Sequence, residues 1–172
     1  MTTTSTLPEP LGPDRVRRAR NQRRVGLTLL TVFVLVGATG TFGTRSTEKS
    51  SSGGGFSLSV TYPQISRPGH AVRYEAVLKR PGGFEGPIKM RFSSDYFDLF
   101  DENAFTPGAE SETTTGAYTL YEFAPPPGDT FVITVDTRVE PARQRGSKGE
   151  VSVLDESGAP VLTVRYRTRI FP

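Results

Sequence analysis

The sequence predicts an all-β protein, a seven-stranded antiparallel sandwich preceded by one N-terminal transmembrane helix. Three observations carry this reading. Residues 25–44 are 20 positions without a charged side chain. Residues 56–170 contain seven runs in which apolar and polar residues alternate. Gly- and Pro-rich clusters separate those runs, and no segment of the body shows the period of an amphipathic helix.

Residues 1–13, MTTTSTLPEPLGP, are polar and broken by Pro, the composition of a disordered tail, here on the cytoplasmic side. Residues 14–24 read as a basic juxtamembrane segment, with Asp14 placed to cap a helix that follows it. Residues 25–44, VGLTLLTVFVLVGATGTFGT, would span about 30 Å as a helix, the thickness of the hydrocarbon core of a bilayer. Arg15, Arg17, Arg18, Arg20, Arg23 and Arg24 precede this stretch, and only Arg45 and Lys49 closely follow it. Positive charge is retained inside. The six arginines are therefore the expected topology determinants of a single-pass cell-membrane protein, with the N-terminus cytoplasmic and the C-terminal body extracytoplasmic. A cleaved signal peptide is the alternative, with small residues at Ala38 and Gly40, and it would release the body as a secreted ligand-binding module. Residues 45–55, rich in Ser and Gly, read as a flexible linker.

The body is residues 56–172. Phe56, Leu58, Val60 and Tyr62 alternate with polar residues, as do Val72, Tyr74, Ala76 and Leu78. Ile88, Met90 and Phe92 form a third run, residues 117–123 a fourth, and Phe131, Ile133, Val135, Thr137 and Val139 a fifth. A short sixth run holds Val151 and Val153, and the seventh holds Leu162, Val164, Tyr166, Thr168 and Ile170. Turn signals such as Arg67-Pro68-Gly69-His70, Pro125-Pro126-Pro127-Gly128 and Arg145-Gly146-Ser147-Lys148-Gly149 lie between them. Seven such strands argue for an antiparallel sandwich with one face of each strand turned inward.

The stretch Pro68-Gly69-His70-Ala71-Val72-Arg73-Tyr74-Glu75-Ala76-Val77 resembles the opening of immunoglobulin-like conserved-repeat and adhesion-type domains of bacterial surface proteins. Pro127-Gly128-Asp129-Thr130-Phe131-Val132-Ile133 resembles a later strand entry of the same domains. The resemblance implies an immunoglobulin-like seven-stranded sandwich. It brings no common active site. The single copy, the long loop of residues 93–116 and the N-terminal anchor depart from the pattern and argue against tandem-repeat adhesion.

The chain has no Cys, no Trp and one His, which excludes disulfides, thiolate nucleophiles and a multi-His metal cage. The net charge of +3 is concentrated near the N-terminus: residues 53–172 hold 13 Lys and Arg against 15 Asp and Glu. A nucleic-acid-binding domain carries positive charge on its own face, so no nucleic-acid partner is expected. Two candidate partner-binding features stand out. Arg165, Arg167 and Arg169 share one face of the last strand, a ladder suited to an anionic partner or to a solvated edge. Loop 93–116 carries Tyr96, Phe97 and Phe100, residues for either a contact patch or a plug at the open end of the sandwich. Asp95, Asp98 and Asp101 recur every three residues, unlike the alternate spacing of a calcium loop, so no metal or other cofactor is expected. The function that follows is non-enzymatic: an anchored domain that binds a membrane or envelope protein, or serves as accessory subunit of a membrane complex. Its partners are the lipid bilayer and such a protein, in an oligomeric state the sequence leaves open. An enzyme using carboxylates such as Asp98 and Asp101 ranks below both binding readings.

Overall fold

A computed structural model describes residues 13–39, 43–101 and 104–171, so positions 1–12 of the expected tail lie outside the described residues. The chain divides into two units, Met1–Phe42 and Gly43–Pro172.

In the first unit, helix α1 spans Pro13–Ala38. Its first half is the arginine segment, and Arg15, Arg17, Arg18, Arg20, Arg23 and Arg24 are all exposed along it. The uncharged part of the helix is only residues 25–38, about 21 Å long, against about 30 Å of hydrocarbon. Among the described residues no helix is long and apolar enough to cross a membrane. The transmembrane helix expected at 25–44 is therefore corrected. The single-pass cell-membrane localisation, with its cytoplasmic N-terminus, falls with it. A charge-free run in sequence is not one helix in space: α1 ends at Ala38, and a strand has begun by Arg45. Within α1, Thr31 Oγ1 donates to Leu27 O at 2.9 Å, a back-bond that hides the hydroxyl from any polar stripe.

Among the described residues, the second unit contains ten strands and one short helix. In chain order these are β1 (Arg45–Gly53), β2 (Phe56–Ser66), β3 (Ala71–Lys79), β4 (Ile88–Ser93), α2 (Ser94–Phe97), β5 (Ser111–Thr115), β6 (Tyr118–Phe123), β7 (Thr130–Arg138), β8 (Lys148–Leu154), β9 (Pro160–Arg167) and β10 (Arg169–Ile170). One five-stranded sheet has the order β1-β2-β3-β7, with β10 pairing to β2. The other has the order β5-β6-β4-β8-β9. Every pairing is antiparallel except β10 with β2, which is parallel. The expected count of seven strands is thus corrected to ten. All seven runs form strands, the seventh is divided into β9 and β10, and β1 and β5 are added to them.

The two sheets face each other across one core. Tyr62 of β2 meets Tyr166 of β9 with ring centroids 5.1 Å apart. Tyr74 of β3 meets Phe92 of β4 at 6.4 Å, and Phe123 of β6 meets Phe131 of β7 at 5.2 Å. Alternate residues of each central strand enter this core, as in β4, where Ile88, Met90 and Phe92 are buried. Each large side chain so buried contributes about 1.5–3 kcal/mol. This two-sheet packing is a β-sandwich.

The expected linker, residues 45–55, is corrected to a strand and its turn. Gly54 and Gly55 take φ of +58° and +80°, the two left-handed positions of a two-residue hairpin turn. They return β1 onto β2 in register from Gly53 opposite Phe56. Pro160–Arg167 lies close by, and a Cβ on Gly54 would strike the Val161 side chain. Loop 93–116 holds α2 and β5, and it closes over the sandwich. Tyr96, Leu99 and Phe100 are buried, while Phe97 and Phe105 pack half-buried against the same core.

Candidate anion-recognition site

The site is built where the last strand changes sheet. β9 belongs to one sheet and ends at Arg167; β10 begins at Arg169 and pairs with β2 of the other sheet. Thr168 is the pivot and is fully buried. Its Oγ1 donates to Pro63 O at 2.6 Å and lies 2.8 Å from the Tyr96 hydroxyl. Its N–H donates to Ser147 O at 3.0 Å. The alternation persists through the pivot, so Arg165, Arg167 and Arg169 are exposed while Val164, Tyr166, Thr168 and Ile170 are buried. The three arginines do not sit on one strand, as expected, but run across the junction of the two sheets.

The loop before β8 brings more positive charge to the same place. Gly146 lies against the Thr168–Arg169 backbone so closely that a Cβ would strike Thr168 O. Arg145 and Lys148 flank that contact in sequence, and both are exposed. In the β8–β9 ladder Lys148 stands directly opposite Arg167, and Glu150 stands opposite Arg165. Gly149 stands opposite Tyr166, whose ring fills the space a side chain there would need.

The charges differ in how they are held. Arg165 Nε donates to Glu150 Oε2 at 2.7 Å. The other oxygen of Glu150 lies 3.5 Å from Arg91 Nη2, and the Arg91 guanidinium covers the Tyr118 ring at 4.3 Å. Glu150 is thus shared by two arginines, and Arg165 is fixed in place. Arg145, Lys148, Arg167 and Arg169 make no ion pair among the described residues. Upstream, the carboxylate of Asp101 pushes the Glu140 pKa up by accepting a hydrogen bond from its protonated form. Behind the strip, burial pushes the phenols of Tyr74, Tyr96 and Tyr166 well above their ordinary range, so the packing beneath the charges is neutral.

The aromatic candidates take other places. Tyr96 and Phe100 are core residues, and Phe97 is half-buried at the edge of a cleft beside β5. Asp95, Asp98 and Asp101 are exposed, and no group of three metal-ligating side chains occurs among the described residues. His70 is exposed in its turn. Lys148 and Arg145 are the site residues that sequence reasoning passed over as turn residues. The signal that marks them is positional: a Gly-Ser turn framed by two cations, leading into the hairpin whose other strand carries the arginines.

No family model matches the chain, and no curated protein matches it in sequence. Among solved structures, the CARDB domain of the PF1109 protein from Pyrococcus furiosus, crystallised with di-metal ions, is 11% identical, with 74% of this chain and 88% of that chain covered and a TM-score of 0.36. A beta-glucosidase from Listeria innocua is 11% identical over 76% of this chain, at a TM-score of 0.34. Its complex with glucose gives 10% identity at a TM-score of 0.35. This chain spans 16% of the beta-glucosidase. The architecture therefore rests on the strand pairing and core of this chain, and the conserved-repeat resemblance gains no support from a family match.

Proposed function

We propose that residues 43–172 form a non-enzymatic binding module that takes an acidic segment of a partner protein on the strip formed by Arg145, Lys148, Arg167 and Arg169. One observation carries the reading: Lys148 and Arg167 face each other in register, without an acid between them. Like charges directly opposite each other on a sheet are destabilising. A carboxylate lying between them relieves that repulsion, and the guanidinium of Arg167 offers it a two-pronged hydrogen-bonding edge. Arg165 supports the strip from beside it, since Glu150 already occupies its Nε.

The test is a fluorescence anisotropy titration of the full chain with labelled poly-L-glutamate, alongside poly-L-lysine and a single-stranded DNA of equal charge. Poly-L-glutamate binding that weakens with added salt, and that falls about tenfold in Lys148→Gln/Arg167→Gln/Arg169→Gln, supports the proposal. Undiminished binding by the triple variant overturns the site, and tighter binding of the DNA overturns the protein partner.

A further inference from the structure

A sandwich of two open sheets has four edges, and here three of them are covered. Along β1 and β9, Lys49 Nζ reaches across and donates to Arg165 O at 3.1 Å. Along β7, Thr106 and Thr134 exchange backbone hydrogen bonds at 2.9 Å each way, and Phe100 bridges Val139. The fourth edge is β5. It pairs with β6 on one side, and its five residues are all exposed. Nothing among the described residues pairs with its other side. Neither Pro nor Lys blunts it, although those are the residues that usually protect a sheet edge.

The β5–β6 hairpin turns through Gly116, at φ +57°, and Ala117, and closes on the Thr115–Tyr118 pair. A two-residue turn ends on a hydrogen-bonded pair, and alternation from it aims the N–H and C=O groups of Glu112 and Thr114 away from β6. On the core side of this edge lies a cleft of about 550 Å³. Its floor is aromatic: Phe105 lies 4.5 Å from Tyr121 and 5.5 Å from Phe97, centroid to centroid, and all three are partly exposed. Its rim is acidic. Glu110 and Glu112 are exposed there, Glu112 accepts the Tyr121 hydroxyl at 3.1 Å, and residues 108–117 contain no Lys or Arg.

We infer that β5 is a strand-addition site for an extended segment of a partner protein that carries apolar and basic side chains on the same face, at every second residue. Backbone hydrogen bonds from Glu112 and Thr114 continue the sheet through the added strand. Every second side chain of that strand then faces the cleft, the apolar ones over the Phe97, Phe105 and Tyr121 rings and the basic ones against Glu110 and Glu112 at its rim. This surface is separate from the basic strip and has the opposite charge, so the two bind different sequences.

The probe is a short labelled peptide whose every second residue is in turn Val and Lys, with Thr between them, titrated into the full chain. The expected result is saturable binding that drops about tenfold for Thr114→Pro, which removes an outward N–H without touching the β6 ladder. The same peptide N-methylated at every second residue, offered to the unaltered chain, gives the backbone test even if Thr114→Pro fails to fold. Glu110→Gln/Glu112→Gln gives the charge test. No binding of the peptide overturns the inference, as does equal binding of its N-methylated form or of the same peptide with Glu in place of Lys. Concentration-dependent dimerisation abolished by Thr114→Pro would assign the edge to a second copy of this chain and overturn the partner-peptide assignment.

Discussion

The hydroxyl of Tyr74 on β3 lies 3.0 Å from the hydroxyl of Tyr166 on β9, so two phenols from opposite sheets satisfy each other inside the core. Replacing one by Phe leaves the other hydroxyl buried without its partner. We expect Tyr166→Phe to lower stability by about 1–3 kcal/mol, and Tyr74→Phe/Tyr166→Phe to cost less than the two single changes summed. Urea unfolding of the four proteins of the cycle measures this.

The same burial makes stability depend on alkaline pH. Tyr74, Tyr96 and Tyr166 hold their protons more tightly when folded than when unfolded, because burial opposes the phenolate. The folded state therefore binds more protons above the unfolded value of about 10. Stability is fully present below that pH and falls as pH rises beyond it. Tyr121, pushed up to about 12 by burial and by Glu112, adds to the same trend. Phenolate absorbance followed with circular dichroism should show these phenols ionising together with unfolding. Independent ionisation of all the tyrosines near their ordinary value in a folded chain would contradict this.

Thr168 holds the pivot through three hydrogen bonds, two of them from its hydroxyl. Thr168→Val keeps the shape but orphans the Tyr96 hydroxyl and the Pro63 carbonyl. The expected loss is about 2 kcal/mol or more in denaturant unfolding. A stability equal to that of the unaltered chain would show that the pivot is held by packing alone.

Gly146→Ala tests the fit of the basic loop against the last strand. The new methyl meets Thr168 O and the Arg169 backbone, groups that cannot swing aside. The chain should lose about 1–3 kcal/mol of stability, and poly-L-glutamate binding should weaken as Arg145 and Lys148 move away from Arg167. Unchanged melting and unchanged binding would remove the loop from the site.

Removing residues 1–53 tests whether β1 is part of the sandwich. β1 pairs with β2 at nine positions, from Arg45 opposite Ile65 to Gly53 opposite Phe56. The shortened chain should melt lower than the full chain and expose β2 as a new edge prone to aggregation. Equal melting temperatures would return residues 45–53 to the status of a tether.

The strands legible in the sequence are those with two different faces. β2, β3, β4, β7, β8 and β9 place their apolar residues at alternate positions toward the core, and that period is written in the sequence, while β6 is marked only by its β-forming residues. β1 is silent because it has no apolar face: Thr47, Lys49 and Ser51 take the inward positions at the margin of the sheet, where Lys49 reaches β9 instead of the core. β5 is silent for a related reason, since all of SETTT is exposed. The Gly54-Gly55 turn was the available clue to β1, and a Gly-Gly pair reads equally well as a tether. At the site, the exposure of Arg165, Arg167 and Arg169 follows from alternation alone. The position of Lys148 opposite Arg167 does not, because it depends on the β8–β9 register, which includes an irregularity between Val153 and Leu154.

The most direct test of the binding strip is a residue-resolved amide NMR titration of the full chain with poly-L-glutamate. We expect shifts concentrated at Arg145–Lys148 and Arg167–Arg169 that vanish in Lys148→Gln/Arg167→Gln/Arg169→Gln. Shifts confined to the Arg15–Arg24 helix, or none at all, would contradict it.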